Sequence, residues 1–138
     1  MIIVYYSRNS PWPALLAALK HCRPALPPEE AWPAAAAWLQ AHSCPGGQPY
    51  FLRRFGESSD GDTVYLMSSG VPAPLLMRTM NGLFELAGGD SKLLLAAFPL
   101  SWRRRWQHCG SRRRRACWRE IEALVERTRL QAELMKQR

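Results

Sequence analysis

Met1-Ile2-Ile3-Val4-Tyr5-Tyr6, then Ser7-Arg8-Asn9-Ser10, then Pro11-Trp12-Pro13-Ala14-Leu15-Leu16-Ala17-Ala18-Leu19: these opening residues decide the fold class. The first six form a continuous run of β-branched and aromatic side chains, the pattern of a central strand buried on both faces. The next four are polar and suit a turn. Pro11 and Pro13 belong in the first turn of a helix, where a missing N–H costs nothing. Leu15, Leu16 and Leu19 then give an apolar stripe at helical spacing, and Pro24 ends it. A strand, a short turn and a helix in that order open a βα unit.

Outward from this unit the pattern continues. Leu26-Pro27-Pro28-Glu29-Glu30 reads as a second helix start, its acids favourably placed at the positive end. Pro33 is expected to split that segment into a short turn and a helix over residues 34–41, with Trp38 and Leu39 facing the core. Ser43-Cys44-Pro45-Gly46-Gly47 is a loop. Residues 51–55 and 63–68 are strand-like, and the Asp60-Gly61-Asp62 turn between them predicts a β-hairpin with both aspartates at a solvated tip. Pro72 and Pro74 open a third helix. Leu75, Leu76, Thr79, Leu83 and Leu86 supply its apolar face, and Gly88-Gly89 closes it. Residues 92–97 form a second continuous apolar strand, and the helix before it predicts a crossover connection. Ile121, Leu124, Val125, Thr128 and Ala132 repeat at helical spacing, in a last helix expected to start near Cys117 and to fray after Leu134.

These elements predict an α/β fold: a three-layer α/β/α sandwich with a partly parallel sheet, one β-hairpin and a C-terminal helix. The arrangement is Rossmann-like. Residues 2–6 and 93–97 should lie parallel in one sheet and present the turn at residues 7–10 and the chain after Phe98 on one edge, where α/β proteins bind ligands. With 138 residues, 47% of them hydrophobic, and no internal repeat or low-complexity linker, residues 1–138 read as a single domain. No apolar run is long enough to span a bilayer. The N-terminus lacks a cationic leader ahead of a hydrophobic stretch, so a cytoplasmic location is expected.

The charge is unevenly placed. Residues 1–100 carry seven basic and seven acidic side chains, whereas residues 101–138 carry twelve and four, so the whole net charge of +8 lies in the last segment. Arg103, Arg104, Arg105, Arg112, Arg113, Arg114, Arg115 and Arg119 meet no acid between Trp102 and Arg119, and Trp102, Trp106 and Trp118 are interleaved with them. Guanidinium groups fork around phosphate and stack on rings. This mixture suits a nucleic acid, another polyanion or an anionic surface. The competing reading is a solvated run in a chain rich in Ala, Arg, Pro and Trp throughout.

Cys22, Cys44, Cys109 and Cys117 contain no Cys-x-x-Cys pair. Each histidine sits beside a cysteine, in His21-Cys22, His42-Ser43-Cys44 and His108-Cys109, but adjacent side chains diverge and rarely ligate one ion. Packed or surface thiols are expected, with no metal site, no cofactor and no catalytic residue assigned.

Several segments together resemble the family called domain of unknown function 3189. Its opening strand is similar to Met1-Ile2-Ile3-Val4-Tyr5-Tyr6, its Leu-Pro-Tyr-Phe to Gln48-Pro49-Tyr50-Phe51, and its hairpin end to Val64-Tyr65-Leu66-Met67-Ser68. A later strand leading to a proline is similar to Leu93-Leu94-Leu95-Ala96-Ala97-Phe98-Pro99, and the closing helix to Trp118-Arg119-Glu120-Ile121-Glu122-Ala123-Leu124-Val125-Glu126. The family's β1–α1 turn, Cys-Tyr-Gly-Gly-Thr-His-Ser-Ser, resembles a phosphate cradle, in which glycines let backbone N–H groups approach an anion. Here Asn9 and Ser10 replace the glycines, Pro11 the threonine, Trp12 the histidine, and Pro13 and Ala14 the serines. The resemblance therefore implies a degenerate loop, with Ser7, Arg8, Asn9 and Ser10 as its remaining ligand-binding candidates. The reading is a non-catalytic binding or scaffold protein. One alternative is a nucleic-acid or anionic-surface binder acting through residues 102–119. The other is an enzyme on phosphorylated small molecules, using the same turn with Arg8 and distant arginines.

Overall fold

A computed structural model describes residues 1–42, 51–89, 92–98 and 111–138. The described elements are β1 (Ile2–Arg8), α1 (Trp12–Cys22), α2 (Pro28–Ala41), β2 (Phe51–Glu57), β3 (Thr63–Ser69), α3 (Ala73–Leu86), β4 (Leu93–Ala97) and α4 (Ser111–Lys136).

The four strands form one mixed sheet in the order β2-β3-β1-β4. β1 runs parallel to both neighbours: Ile2 pairs with Thr63 and with Leu93, and Tyr6 with Met67 and with Ala97. β2 and β3 form the antiparallel hairpin, with a register irregularity between Arg54 and Gly56. Alternation along the strands divides the core. Ile3, Tyr5, Val64, Leu66, Leu94 and Ala96 pack with α1, α2 and α4. Val4, Tyr6 and Leu95 pack with Leu76 of α3, joined by partly buried Ala73 and Met80. The result is a three-layer α/β/α sandwich in which, among the described residues, three helices cover one face and α3 the other. The apolar run of residues 2–6 in β1 and of all of β4 follows, since both faces of each are covered.

Five local expectations are corrected. Ser7 and Arg8 belong to β1 rather than to a turn, because Arg8 pairs with Ser69 at the end of the β1–β3 ladder. Pro33 does not divide α2, which runs unbroken from Pro28 to Ala41. A proline removes one hydrogen bond and crowds the preceding turn, but the alanines after it are the strongest helix formers, and Ala31, Trp32 and Ala35 anchor both sides of it in the core. The apolar face of α3 is largely turned outward: Leu76 is buried, but Leu75, Leu83 and Leu86 are exposed. α4 starts six residues before Cys117, at Ser111, so Arg112, Arg113, Arg114 and Arg115 form its first turns rather than a loop ahead of it. Arginine is a good helix former, and an apolar stripe is not needed to begin a helix whose later turns are anchored.

The fifth correction concerns the hairpin tip. Asp60 is exposed, but Asp62 is 2% exposed. Its carboxylate accepts from Lys136 Nζ at 2.9 Å and lies 3.5 Å from the Met1 α-amino group. Gly61 takes the left-handed conformation (φ 80°) that the turn requires.

Candidate functional site

The chain leaves β1 toward α1 on one face of the sheet and leaves β3 toward α3 on the other. The carboxyl ends of these adjacent parallel strands therefore part, and the crevice between such ends is where α/β sheets take ligands. All four candidates from the β1–α1 turn lie at this place.

The groups there are engaged with one another. Ser7 is buried; its hydroxyl donates to the Ser10 carbonyl and accepts the Ala14 N–H at 3.3 Å. Ser10 Oγ lies 3.4 Å from the Trp12 nitrogen, and the Leu15 N–H reaches the Pro11 carbonyl at 2.9 Å. Pro13 has no N–H to offer. The first turn of α1 thus presents no free sequence of donors to an anion, in contrast to a phosphate-binding helix start. Arg8 Nε donates to the Gly70 carbonyl at 3.1 Å, and the Asn9 N–H to the Ser69 carbonyl at 3.0 Å. Asn9 itself takes the left-handed conformation, with φ 65°. Asn tolerates that region better than most residues. Across the gap, the Tyr6 hydroxyl donates to the Val71 carbonyl and lies 3.0 Å from Ser69 Oγ, which accepts the Val71 N–H. The two loops are laced shut by side chains from β1 and backbone from β3–α3. Local sequence does not mark Ser69 and Gly70 as part of this place. Only the strand pairing brings them to β1, although the Ser-Ser-Gly ahead of Pro72 is a visible turn signal.

The second candidate is the arginine segment. Arg103, Arg104 and Arg105, with Trp102 and Trp106, lie outside the described residues. Arg112 is in the first turn of α4. Arg113, Arg114, Arg115 and Arg119 are exposed on that helix. Trp118, counted with the arginines as part of a basic and aromatic patch, is instead buried at 2% exposure against Trp32, with ring centroids 5.9 Å apart. Helical spacing turns it to the core together with Ile121 and Val125. Arg114 places its guanidinium carbon 5.5 Å from the Trp32 ring, so one arginine of the run is held on α2. Arg114 and Arg115, with Pro28, Glu29 and Trp32, line an open cleft of about 250 Å³.

A third group is visible in sequence only as histidine beside cysteine. His21 is fully buried, and its Nδ1 is 2.6 Å from the Tyr5 hydroxyl. Arg129 of α4 donates to the His21 carbonyl at 2.6 Å. Burial, and then the Arg129 charge, lower the His21 pKa to about 4. Burial also pushes the Tyr5 hydroxyl and the Cys22 thiol above their ordinary values. The imidazole is neutral, the phenol and thiol are protonated, and the group is an inward strut between β1, α1 and α4. Among the described residues, no cluster of three or more His, Cys, Asp or Glu side chains could hold a metal ion, and no helix is long and apolar enough to cross a membrane.

The chain matches no protein-family model, no curated protein and no solved structure.

Proposed function

We propose that this chain is a non-catalytic binding protein that engages the phosphate backbone of a nucleic acid through the first turns of α4. The observation that carries this reading is the placement of Arg113, Arg115 and Arg119, exposed in the amino-terminal third of a long helix, with no acidic residue before Glu120. The positive end of the helix dipole disfavours a cation at Arg113, in the first turn, by about 0.3–1 kcal/mol at low salt. The dipole gives no reason to open the helix with cations, whereas a polyanion would relieve that cost. Arg115 and Arg119 are one turn apart and share a face. With Trp118 inside the core, the expected contacts are to phosphate rather than to stacked bases.

The occupied donors of the β1–α1 turn support the other half of the reading. A chain resembling the domain of unknown function 3189 family, Rossmann-like in its sheet, would hold an anion at that turn. Here the donors are spent on Ser7, Ser10 and Pro11 or deleted by Pro13. A cytoplasmic site of action is part of the proposal.

The test is binding to unrelated RNA and DNA oligonucleotides by fluorescence anisotropy across a salt series. Replacing Arg113, Arg115 and Arg119 together with Ala should weaken all sequences alike, because phosphate contacts carry no sequence information. The log–log salt slope should fall by up to about three, near one for each phosphate no longer neutralised. Unchanged affinity and slope would leave the run an ordinary solvated surface. Thermal stabilisation by mononucleotides in that same variant would instead favour an enzyme acting at the β1–α1 turn.

A further inference from the structure

Among the described residues α3 is the only helix on its face of the sheet, and large apolar side chains also stand on its outward side. Leu75, Leu83 and Leu86 are 57%, 63% and 87% exposed. Leu75, Thr79, Gly82 and Leu86 follow one another in steps of four, three and four, the spacing of a helix-pairing seam, with Leu83 beside it. The Thr79 hydroxyl is already spent on the Leu75 carbonyl at 3.0 Å, so it brings no unmet donor to the seam. Gly82 is mid-helix, where glycine is less favourable than alanine. Nothing lies within 4 Å of where its Cβ would be. No contact among the described residues accounts for this glycine, whereas close approach of a second helix would.

We propose that this face of α3 is a self-association surface, on which a second copy of the chain docks antiparallel about a twofold axis near Asn81. The charges on the seam's flank name the occupant. Arg78 and Glu85 are the only charged residues of α3; both are exposed, and neither forms an ion pair among the described residues. A twofold axis sets Arg78 of each copy against Glu85 of the other, twice over, as isologous contacts require. The same axis lays Leu75 against Leu86 and Thr79 against Gly82. The face is neutral within a chain of net charge +8, so two copies meet here without the repulsion that the α4 arginines would impose elsewhere.

Sedimentation equilibrium of the full chain over about 5–200 µM at moderate salt tests this. A concentration-dependent dimer is expected. Leu86→Glu should weaken it at least tenfold, and R78E and E85R, each of which sets like charges together, should do the same. An equimolar mixture of R78E and E85R chains should recover the dimer as a heterodimer, and the doubly inverted R78E/E85R chain should recover the homodimer. All the substituted positions are exposed, and circular dichroism confirms that each variant is folded. A wild-type chain that stays monomeric throughout overturns the proposal. So does a dimer that neither Leu86→Glu nor the single inversions weaken. A dimer weakened by Leu86→Glu but not restored in the mixture overturns the antiparallel arrangement.

Discussion

His21 couples the fold to proton concentration. Folding buries it neutral, with its pKa lowered to about 4, whereas an exposed histidine titrates near pH 6.5. Between those values the unfolded chain takes up a proton that the folded chain refuses. Stability should therefore fall as pH drops from about 6.5 toward 4, by about 3 kcal/mol over that window, and this residue should contribute no slope above pH 7. Urea unfolding at half-unit pH steps should show the loss. His21→Gln, which keeps an acceptor for Tyr5, should flatten the curve, and a slope that survives the substitution belongs to other groups. None of this is legible locally. The neighbours of His21 in sequence are Lys20 and Cys22, but the groups that set its state come from β1 and α4. Asp62 is a similar case. The turn around it is plain in the sequence, but its burial depends on Lys136, which lies at the far end of the chain.

Helices show where pattern reading succeeds and where it stops. α1 is legible from Pro11 to Pro24 because its prolines, stripe and terminator all agree. α2 is not, because Pro33 is a breaker by its local chemistry, while the core contacts on both sides of it are set by the fold. The proline is exposed on α2. Pro33→Ala should therefore stabilise the protein by about 1–3 kcal/mol, less than the full helix-interior penalty because proline also restricts the unfolded chain. A lowered melting temperature would mean that the local geometry Pro33 imposes is needed where α2 meets Trp118. In α3 the periodicity holds and the side differs: the spacing identifies an apolar face but not what covers it. The start of α4 is hidden because its first turns carry arginines where an amphipathic pattern would show a stripe.

The layers themselves are legible, because β1 and β4 are apolar at successive positions and separated by helices, which leaves few arrangements other than neighbouring parallel strands. The place of the candidate site follows from that, at the end of β1. Its condition does not, because Ser69, Gly70 and Val71, which close it, reach it only through the sheet. The unequal layers give a further expectation. Leu94 and Leu95 are consecutive in β4, similarly buried, and point to opposite faces. Leu94→Ala opens a cavity under three helices and should cost about 2–5 kcal/mol, whereas Leu95→Ala lies under one helix that can settle inward and should fall at or below the lower end of that range. Equal losses in chemical denaturation would mean that α3 is held as rigidly as the larger layer.

The position of β1 has a consequence for biosynthesis. It is made ahead of its partners, and both edges of it are satisfied only by β3 and β4, which follow about 60 and 90 residues later. At ribosomal rates of about 5–20 residues per second, Ile2, Ile3, Val4, Tyr5 and Tyr6 wait several seconds for a first partner. Local hairpin formation cannot shelter them, since parallel pairing requires the intervening chain to close first. Through that interval the nascent chain exposes an uncharged, β-prone segment, which is a template for intermolecular pairing. Yield in cells should thus depend more on chaperone capacity than on the stability of the finished protein, and slower translation between β1 and β3 should lengthen the hazard rather than relieve it.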